Sequence, residues 1–421
     1  MDMSEEERLV RQKELRRRKR AAARRKRRRQ RRRRMICAAA VLVLVIVIAV
    51  LAFCGLGGRS SDKTAEGRES GDAVVSSSGD TAVSSDAAES TGSSSGTVTE
   101  AEEASGPVTI TMSFTGDCTL GTDENFNYST SLNAYYESYG ADYFFEDVRD
   151  IFEADDITVV NMEGTLTEET ARADKTYAFK GEPEYVQILS GSSVEAANIA
   201  NNHSHDYGTQ SYEDTIETLE DNGISHFGYD DIAYFEVSGV TVGLVGIYEL
   251  AEGLGVSEQV TENIQTAREN GADIVVVSFH WGIEKDSCPD STQVTLAHQA
   301  IDDGADLVIG HHPHVLQGIE YYNGKVIAYS LGNFCFGGNS NPSDKDTMIL
   351  QMTFTTQDGE ITDSELNVIP CSLSSASGYN DYQPTLLTGD AAQEVLDKIA
   401  SRSQEILSNY DSAESVYESG D

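Results

Sequence analysis

The chain has 421 residues and an acidic composition, with 31 Lys and Arg against 70 Asp and Glu and a formal net charge of −39. Residues 1–34 hold 18 of the basic side chains, so the rest of the chain carries 13 basic and 65 acidic side chains, a formal net charge of −52. The 6 Cys include no C-x-x-C pair, which excludes a thiolate zinc site and a thioredoxin-type motif. Such a length and charge distribution favour one large domain with appendages.

An apolar segment directly follows the basic arm. Residues 35–56, MICAAAVLVLVIVIAVLAFCGL, contain neither a charge nor a proline, and a helix of that length spans about 30 Å, the hydrocarbon core of a bilayer. The positive-inside rule keeps the Arg-rich side in the cytoplasm. We therefore predict a basic cytoplasmic arm over residues 1–34, a transmembrane signal anchor over residues 35–56, and localisation at the cell membrane with the C-terminal domain outside the cell.

Three alternatives exist for this segment. A buried core helix is disfavoured by the block of Arg beside it, and a cleaved signal peptide by the length of the segment and the lack of an A-x-A-like exit. Lipid attachment at Cys54 is disfavoured because the bulky Phe53 stands where a small residue is expected. The basic arm could bind nucleic acid, but anionic lipid is the simpler partner beside a membrane, and no nucleic acid is expected.

The chain beyond the anchor divides by composition. Residues 57–106 are rich in Ser, Gly, Ala and acidic residues and contain no aromatic side chain, which predicts a disordered linker. An ordered domain is predicted over residues 107–375, followed by an acidic C-terminal helix and tail over residues 376–421. Sequence alone assigns no disulfide among the four outer cysteines, which are Cys118, Cys288, Cys335 and Cys371.

Strand and helix patterns alternate along the predicted domain. Apolar strands are predicted over residues 107–117, 157–163, 194–201, 239–247, 272–280 and 305–312. Helices are predicted over residues 142–155, 184–191, 210–223, 257–271 and 291–304. This alternation predicts a layered α/β domain whose helices cover the sheet. Beyond His314, Asn-Gly and Asp-Gly dipeptides predict antiparallel hairpins.

All 8 histidines lie between residues 203 and 314, and most of them follow an apolar strand. In open α/β sheets, ligands bind beyond the carboxyl ends of the strands. The polar residues at those ends are Asp117, Asn161, Glu163, Asn201, Asn202, His203, His280, His311, His312 and His314. Carboxylates, amides and imidazoles without a thiolate suit a divalent ion such as Mn, Fe or Zn. Because His312 and His314 stand two residues apart, extended backbone would direct both side chains to one side.

Six motifs resemble, in their order and spacing, the bacterial capsule-synthesis protein CapA family over residues 107–372. They are FTGDCTLG, VVNMEGTLT, ANIANNHSHDYG, VSFHWGIE, VIGHHPHVLQGIE and YSLGNF. That family looks like a divergent branch of the calcineurin-like metallophosphoesterases. The resemblance therefore implies a metallophosphoesterase-like α/β/β/α sandwich and a role in poly-γ-glutamate capsule synthesis or export at the cell surface.

The resemblance also implies a role for each matched residue. The implied metal ligands are Asp117, Glu163, Asn202, His280, His312 and His314. His203 would be the general acid that protonates a leaving group, and Asp206 would orient it. Phosphoesterases carry a His where this chain has Thr119, and a shorter bridging carboxylate where it has Glu163, so the number of divalent ions, one or two, stays open.

Two functions of different classes follow from these expectations. The first is a metal-dependent hydrolase or transferase, in a membrane-anchored extracellular protein of poly-γ-glutamate capsule synthesis, export or anchoring. The second is a non-catalytic scaffold or polymer guide that keeps the metallophosphoesterase fold. A generic surface phosphatase is a weaker option, because Arg is scarce in the domain.

Three kinds of partner are expected. They are the membrane, an anionic cell-envelope polymer such as poly-γ-glutamate, and other capsule-synthesis membrane proteins. A polyanion would meet an acidic domain, so a basic patch or divalent cations would be needed to bind it. The basic residues near the motifs are Lys175, Lys180 and Lys285.

Overall fold

The computed structural model describes residues 106–419. The predicted cytoplasmic arm, the membrane anchor, nearly all of the linker and the last two residues lie outside this described part. Within residues 106–419, no helix combines the length and the apolarity that a membrane crossing requires.

Two β-sheets form the centre of the described domain, and three short strands form a separate small sheet. The first sheet contains β1 (Val108–Thr119), β3 (Ile157–Met162), β6 (Ala196–Asn198), β7 (Ser225–Phe227), β14 (Asn333–Phe336), β15 (Asp346–Gln357), β16 (Glu360–Ser372) and β17 (Thr385–Leu386). The second contains β8 (Ala233–Val237), β9 (Val240–Tyr248), β10 (Ile274–His280), β11 (Leu307–His311), β12 (Ile319–Tyr322), β13 (Lys325–Ala328) and β18 (Ser415–Val416). The third contains β2 (Thr122–Asp123), β4 (Thr165–Leu166) and β5 (Phe179–Gly181).

Both large sheets are mixed: antiparallel strands flank the parallel strands on one side in the first sheet and on both sides in the second. The first is ordered β17-β16-β15-β1-β3-β6-β7, with β14 also paired to β1, and the second β18-β12-β13-β11-β10-β9-β8. Strands β1, β3, β6 and β7 run parallel, as do β9, β10, β11 and β13. Parallel strands place their carboxyl ends at the same edge of a sheet, which is where the predicted site residues lie.

Alternate strand residues separate the layers of the domain. Ile110 and Met112 of β1 share one buried cluster with Val242 and Leu244 of β9, so these side chains lie between the sheets. The intervening residues pack outward against helices. The helices are Leu132–Tyr139, Arg149–Phe152, Gln187–Ser190, Gly208–Asp221, Ser257–Glu269, Ser291–Asp302 and Gly389–Asn409. The domain is therefore a mixed α/β sandwich of two sheets with helices outside.

Acidic residues just before several strands accept the same kind of hydrogen bond, from a backbone N–H of the neighbouring strand. Asp273, before β10, accepts from the backbone N–H of Thr241 at 2.8 Å, and Asp306, before β11, accepts from the N–H of Val275 at 2.9 Å. The two similar Gly-Ala-Asp segments thus fasten neighbouring strands in the same way. Each bond helps to fix the strand register on which the positions of the strand ends depend.

Both predicted hairpin turns are confirmed. Asn323 and Gly324, with φ of 49° and 71°, join β12 to β13, while Asp358 and Gly359, with φ of 54° and 81°, join β15 to β16. Two successive residues with positive φ are typical of the turn whose twist matches antiparallel strands.

The end of the described chain, where the sequence predicted a tail, contains a further strand. After the helix Gly389–Asn409, strand β18 pairs with β12, and the Tyr417 side chain is 5% exposed within the core. The described cysteines all carry free thiols, so no disulfide joins them. They are Cys118, Cys288, Cys335 and Cys371.

Candidate metal centre

Strand ends from both large sheets meet at one place. Asp117 lies in β1, Glu163 directly follows β3, and His280 ends β10. Strand β1 pairs Asp117 with Asn161 of β3, which sets the first sheet's residues side by side. The histidines at the end of β11 and just after it belong to the second sheet, in which β11 is the neighbour of β10.

Glu163 lies at the centre of this cluster. Its side chain is fully buried, and neither carboxylate oxygen has a hydrogen-bond partner within the described residues. Oε1 lies 3.6 Å from His280 Nε2, 3.8 Å from His314 Nε2 and 3.9 Å from His203 Nε2. Burial raises the pKa of Glu163 to about 8, although the charge of His314 opposes the shift. A buried carboxylate without donors is costly unless a cation completes its surroundings.

The buried Asp117 and the partly buried His314 form an ion pair. His314 Nδ1 lies 3.0 Å from Asp117 Oδ2 and 2.9 Å from Asn333 Oδ1. Burial alone would raise the pKa of Asp117, but its hydrogen bond to His314 and the charge of that ring hold the pKa below the ordinary value. Burial would lower the pKa of His314, but Glu163 and Asp117 outweigh it and raise the pKa to about 10.

His280 and His312 line the opposite side of Glu163. Their ring centroids are 4.8 Å apart, and His280 Nε2 lies 2.8 Å from Asn202 Oδ1. Burial lowers the pKa of His312 to about 4 and the pKa of His280 well below its ordinary value. His312 Nδ1 is buried without a hydrogen-bond partner. These shifts favour the neutral form of both rings, which is the form that binds a metal ion.

A row of amides supports the carboxylates from within the first sheet. Asn198 Nδ2 donates to Asn161 Oδ1 at 3.0 Å, and Asn161 Nδ2 donates to Asp117 Oδ1 at 2.7 Å. Asn161 Nδ2 also lies 3.3 Å from His280 Nδ1. Strands β6, β3 and β1 are neighbours in register, so each strand orients the polar side chain of the next.

His203 and Asp206 lie on the loop after β6. His203 Nδ1 is 2.6 Å from Asp206 Oδ2, which also accepts from the backbone N–H of Phe179 at 2.5 Å. The Phe179 ring covers the His203 ring at a centroid distance of 4.5 Å. Burial lowers the pKa of His203, and Asp206 opposes that shift. Asn201 Oδ1 accepts from the backbone N–H of His203 at 3.0 Å and so fixes the loop.

The turn that carries His312 and His314 is not extended. Their φ angles are 95° and 58°, in a backbone region that residues other than Gly rarely adopt. The backbone N–H of His312 donates to Asp117 Oδ2 at 3.3 Å, and Asn333 Nδ2 donates to the His314 carbonyl at 3.2 Å. The expectation of extended backbone was therefore wrong, although the two ring centroids lie only 5.5 Å apart.

The eight predicted site residues lie in one cluster. Two groups have their ligand atoms within 4.8 Å of one another, namely Glu163, His280 and His312, and Asp117, Glu163 and His314. Asn202 adjoins the first group through His280, and the pair of His203 and Asp206 lies beside Glu163. The individual roles of these residues stay predictions.

Several neighbours of the cluster received no role from the sequence. Asn161 and His311 were recognised only as polar residues at strand ends, and His311 Nδ1 lies 3.7 Å from Asp117 Oδ1. Asn333 stands in the motif YSLGNF, which is the signal that could have identified it. Asn198 stands in the motif ANIANNHSHDYG, but its contact with Asn161 depends on strand register, which the motif does not show.

The residues present fit a divalent cation. The buried oxygens of Glu163 and the Nδ1 atom of His312 lack hydrogen-bond partners, and both belong to the candidate groups. Carboxylate and imidazole donors together suit borderline divalent ions. Because the two groups share Glu163, the cluster can hold one ion or two.

Comparison with protein families agrees with the expected resemblance. The family described as "Bacterial capsule synthesis protein PGA_cap" matches residues 111–338. The chain belongs to this family. All eight predicted site residues lie within the PGA_cap match, as do Asn161, Asn198 and Asn333.

Curated relatives carry related names. The chain is 36% identical over 248 residues to the PGA biosynthesis protein CapA of Bacillus subtilis, covering 54% of this chain and 63% of that protein. It is 30% identical over 294 residues to the capsule biosynthesis protein CapA of Bacillus anthracis, covering 64% of this chain and 68% of that protein. A probable polyglutamine synthesis accessory protein of Mycobacterium tuberculosis is 31% identical over 211 residues, with 43% of this chain and 55% of that protein covered. The similarity thus spans between about half and two thirds of these relatives.

Similarity to solved structures is weak. A 5′-nucleotidase from Candida albicans has a TM-score of 0.39 at 12% identity, covering 70% of this chain and 57% of that chain. A hypothetical protein from Thermus thermophilus also has a TM-score of 0.39, at 14% identity, covering 62% of this chain and 99% of that chain. Likenesses at this level say nothing about activity.

Proposed function

We propose that the chain is a membrane-anchored extracellular protein that acts in poly-γ-glutamate capsule synthesis, export or anchoring. We further propose that it works through a metal-dependent hydrolase-like site of the metallophosphoesterase type. The observation that carries the proposal is Glu163, a fully buried carboxylate without a hydrogen-bond partner among imidazole nitrogens at 3.6 to 3.9 Å. Membership of the PGA_cap family and the names of the relatives support the capsule setting.

Six side chains would hold the cation or cations. They are Asp117, Glu163, Asn202, His280, His312 and His314. A divalent ion bound there would supply Lewis-acid chemistry to a phosphoester or to the amide linkage of a γ-glutamyl polymer. The amide row behind Asp117 keeps that carboxylate in place without neutralising it.

His203 is the residue of this chain that we expect to move a proton. Its Nδ1 faces Asp206 at 2.6 Å, which leaves Nε2 directed toward Glu163 at 3.9 Å. From that position Nε2 can give a proton to a leaving group or take one from a nucleophile. Phe179 covers one side of the ring and limits the access of water.

One observation favours the alternative of a non-catalytic scaffold or polymer guide. Lys175 bonds to Asp206 and Lys180 bonds to the Glu169 carbonyl, so neither extends freely toward a polyanion. An acidic chain that approaches an anionic polymer then needs divalent cations as bridges. The scaffold would keep the cluster for its stability and would have no turnover to lose.

Hydrolysis assays separate the two functions. The purified full-length chain, stripped of metal and reloaded with Mn, Fe or Zn, is offered poly-γ-glutamate and, separately, an activated phosphodiester. We expect metal-dependent turnover that His203→Gln abolishes and that His205→Gln leaves intact, because the exposed His205 ring stacks on Tyr212 outside the cluster. Metal binding without turnover of either substrate would favour the scaffold.

A further inference from the structure

Lys175 makes a compact set of contacts behind the His203 and Asp206 pair. It lies on the segment between β4 and β5, and its side chain is 30% exposed. Its Nζ lies 2.7 Å from Asp206 Oδ1, 3.0 Å from the Asn202 carbonyl oxygen and 3.3 Å from His203 Nδ1. One ammonium group therefore touches three residues of a single loop.

The distances determine which nitrogen of His203 carries the proton. Asp206 Oδ2 lies 2.6 Å from His203 Nδ1, and an ionised carboxylate only accepts hydrogen bonds. The proton on Nδ1 must therefore point at Asp206. In the neutral ring with its proton on Nδ1, Nε2 carries no hydrogen, and Nε2 is the atom that faces Glu163.

Lys175 is the ammonium partner of the buried Asp206 carboxylate. The Asp206 side chain is 1% exposed, and it accepts from the Phe179 N–H and from Lys175. Without the ammonium group, a buried carboxylate would lose its only cationic partner among the described side chains. The same group holds the carbonyl of Asn202, whose side chain reaches His280.

The segment that carries Lys175 is itself braced. Arg172 donates to the carbonyls of Ala173 and Lys175 at 3.1 and 2.9 Å and pairs with the buried Asp123 at 2.7 Å. The backbone N–H of Ala173 donates to the Asp206 carbonyl at 2.8 Å. The backbone around Lys175 is thus held against the loop independently of the contacts that the ammonium group makes.

We propose that Lys175 is a positioning residue, which fixes the Nδ1-protonated tautomer of His203 and the orientation of Asn202 toward the candidate metal cluster. The reaction that it would serve rests on the proposed function. The tautomer itself is a property of the chain and can be measured whether or not turnover exists.

The chain offers a matched control in the strand that follows, β5. Lys180 Nζ donates to the Glu169 carbonyl at 3.1 Å and lies 5.2 Å from the centre of the Tyr207 ring, and neither partner belongs to the cluster. Lys180→Met therefore removes the same charge without touching Asp206 or Asn202.

The experiment reads the ring nitrogens of His203 by NMR in full-length protein carrying nitrogen-15-labelled histidine, assigned with His203→Gln. Wild type and Lys180→Met should show a single tautomer with the proton on Nδ1. Lys175→Met and Lys175→Ala should show a mixture of tautomers, and Lys175→Arg should restore the single one. Mn binding should weaken by about 10- to 100-fold in Lys175→Met, as is typical when a partner of a ligand is lost.

A single unchanged tautomer in both Lys175→Met and Lys175→Ala would overturn the proposal. If one of these variants does not fold, the other decides. A wild-type chain that binds no Mn and hydrolyses no substrate would contradict the proposed function, while the tautomer comparison would still decide the role of Lys175.

Discussion

At the scale of single residues, the central feature is Glu163, a buried carboxyl group without a hydrogen-bond partner among the described residues. The ends of apolar strands predicted Glu163 and the other candidate ligands correctly as neighbours, because parallel strands bring their ends together. Sequence could not predict that Glu163 lacks donors, because that depends on which side chains point elsewhere. The supporting amide of Asn198 was missed for the same reason.

Replacing Glu163 by its isosteric amide should separate metal binding from stability. Glu163→Gln removes the charge shared by both candidate groups, so Mn affinity should fall by more than the roughly 10- to 100-fold loss expected for an outer partner. The metal-free variant should be at least as stable as wild type, because a neutral amide replaces a buried carboxyl group that has no donors. Isothermal titration and urea unfolding measure the two effects. Wild-type affinity in Glu163→Gln would rule out Glu163 as a ligand.

A second residue-scale prediction concerns Asp155, which lies just before β3, whereas Glu163 follows the other end of that strand. Burial raises the pKa of Asp155 from 3.8 to about 6, although hydrogen bonds from Ser113 and Thr158 oppose the shift. The folded state holds this proton more tightly than the unfolded state, so its contribution to stability falls as pH rises from 3.8 to about 6.

Asp155→Asn should remove that dependence. The unfolding free energy of the variant relative to wild type should increase across this pH window and stay constant above it. Urea titrations on both sides of the window measure the difference. A difference that does not change with pH would contradict the assigned shift.

At the scale of elements, long periodic segments were predicted well and irregular ones were not. The helix predicted over residues 257–271 is observed as Ser257–Glu269, because its apolar positions recur at the helical period. The helix predicted over residues 142–155 is α-helical only at Arg149–Phe152. The apolar residues of this segment do not form one helical face. Phe144, Phe145 and Phe152 are all buried in the cluster between the first sheet and its helices.

The close approach of two backbone segments beside Asp117 gives an element-scale prediction. A Cβ atom on Gly116 would lie 2.2 Å from the Gly332 carbonyl oxygen, where β1 meets the turn before β14. Gly116→Ala should therefore cost about 1–3 kcal/mol of stability through overpacking. It should also weaken metal binding, because Asp117 is the next residue.

Gly378→Ala is the matched control, since nothing lies within 4 Å of a Cβ atom there. Thermal unfolding of the two variants measures the difference. Equal stabilities would mean that the backbone near Asp117 is looser than the structure indicates.

At the scale of the whole molecule, the far end of the described chain completes the second sheet. Composition predicted an acidic tail, because Asp, Glu and Ser dominate the last residues and apolar side chains are sparse. The pairing of β18 with β12 depends on contacts distant in sequence, which no local pattern reveals. Two buried side chains, Val416 and Tyr417, seal that edge.

Deleting residues 411–421 should lower the unfolding free energy by about 3 kcal/mol, the burial energy of one to two large apolar side chains. Deleting only residues 418–421 should have little effect, because β18 and Tyr417 remain. Urea unfolding of the two truncated proteins is the measurement. Equal stability of the longer and shorter truncations would show that β18 adds nothing to the sandwich.

The central claim is that the histidines and carboxylates at the strand ends hold a divalent ion. Elemental mass spectrometry of the purified full-length chain tests it most directly, after loading with Mn, Fe or Zn and removal of free metal. We predict one or two ions per wild-type chain, none in His312→Ala/His314→Ala, and wild-type content in His205→Ala/His226→Ala, which removes two histidines outside the candidate groups. A wild-type chain without metal, or a His312→Ala/His314→Ala variant that keeps its metal, would contradict the account.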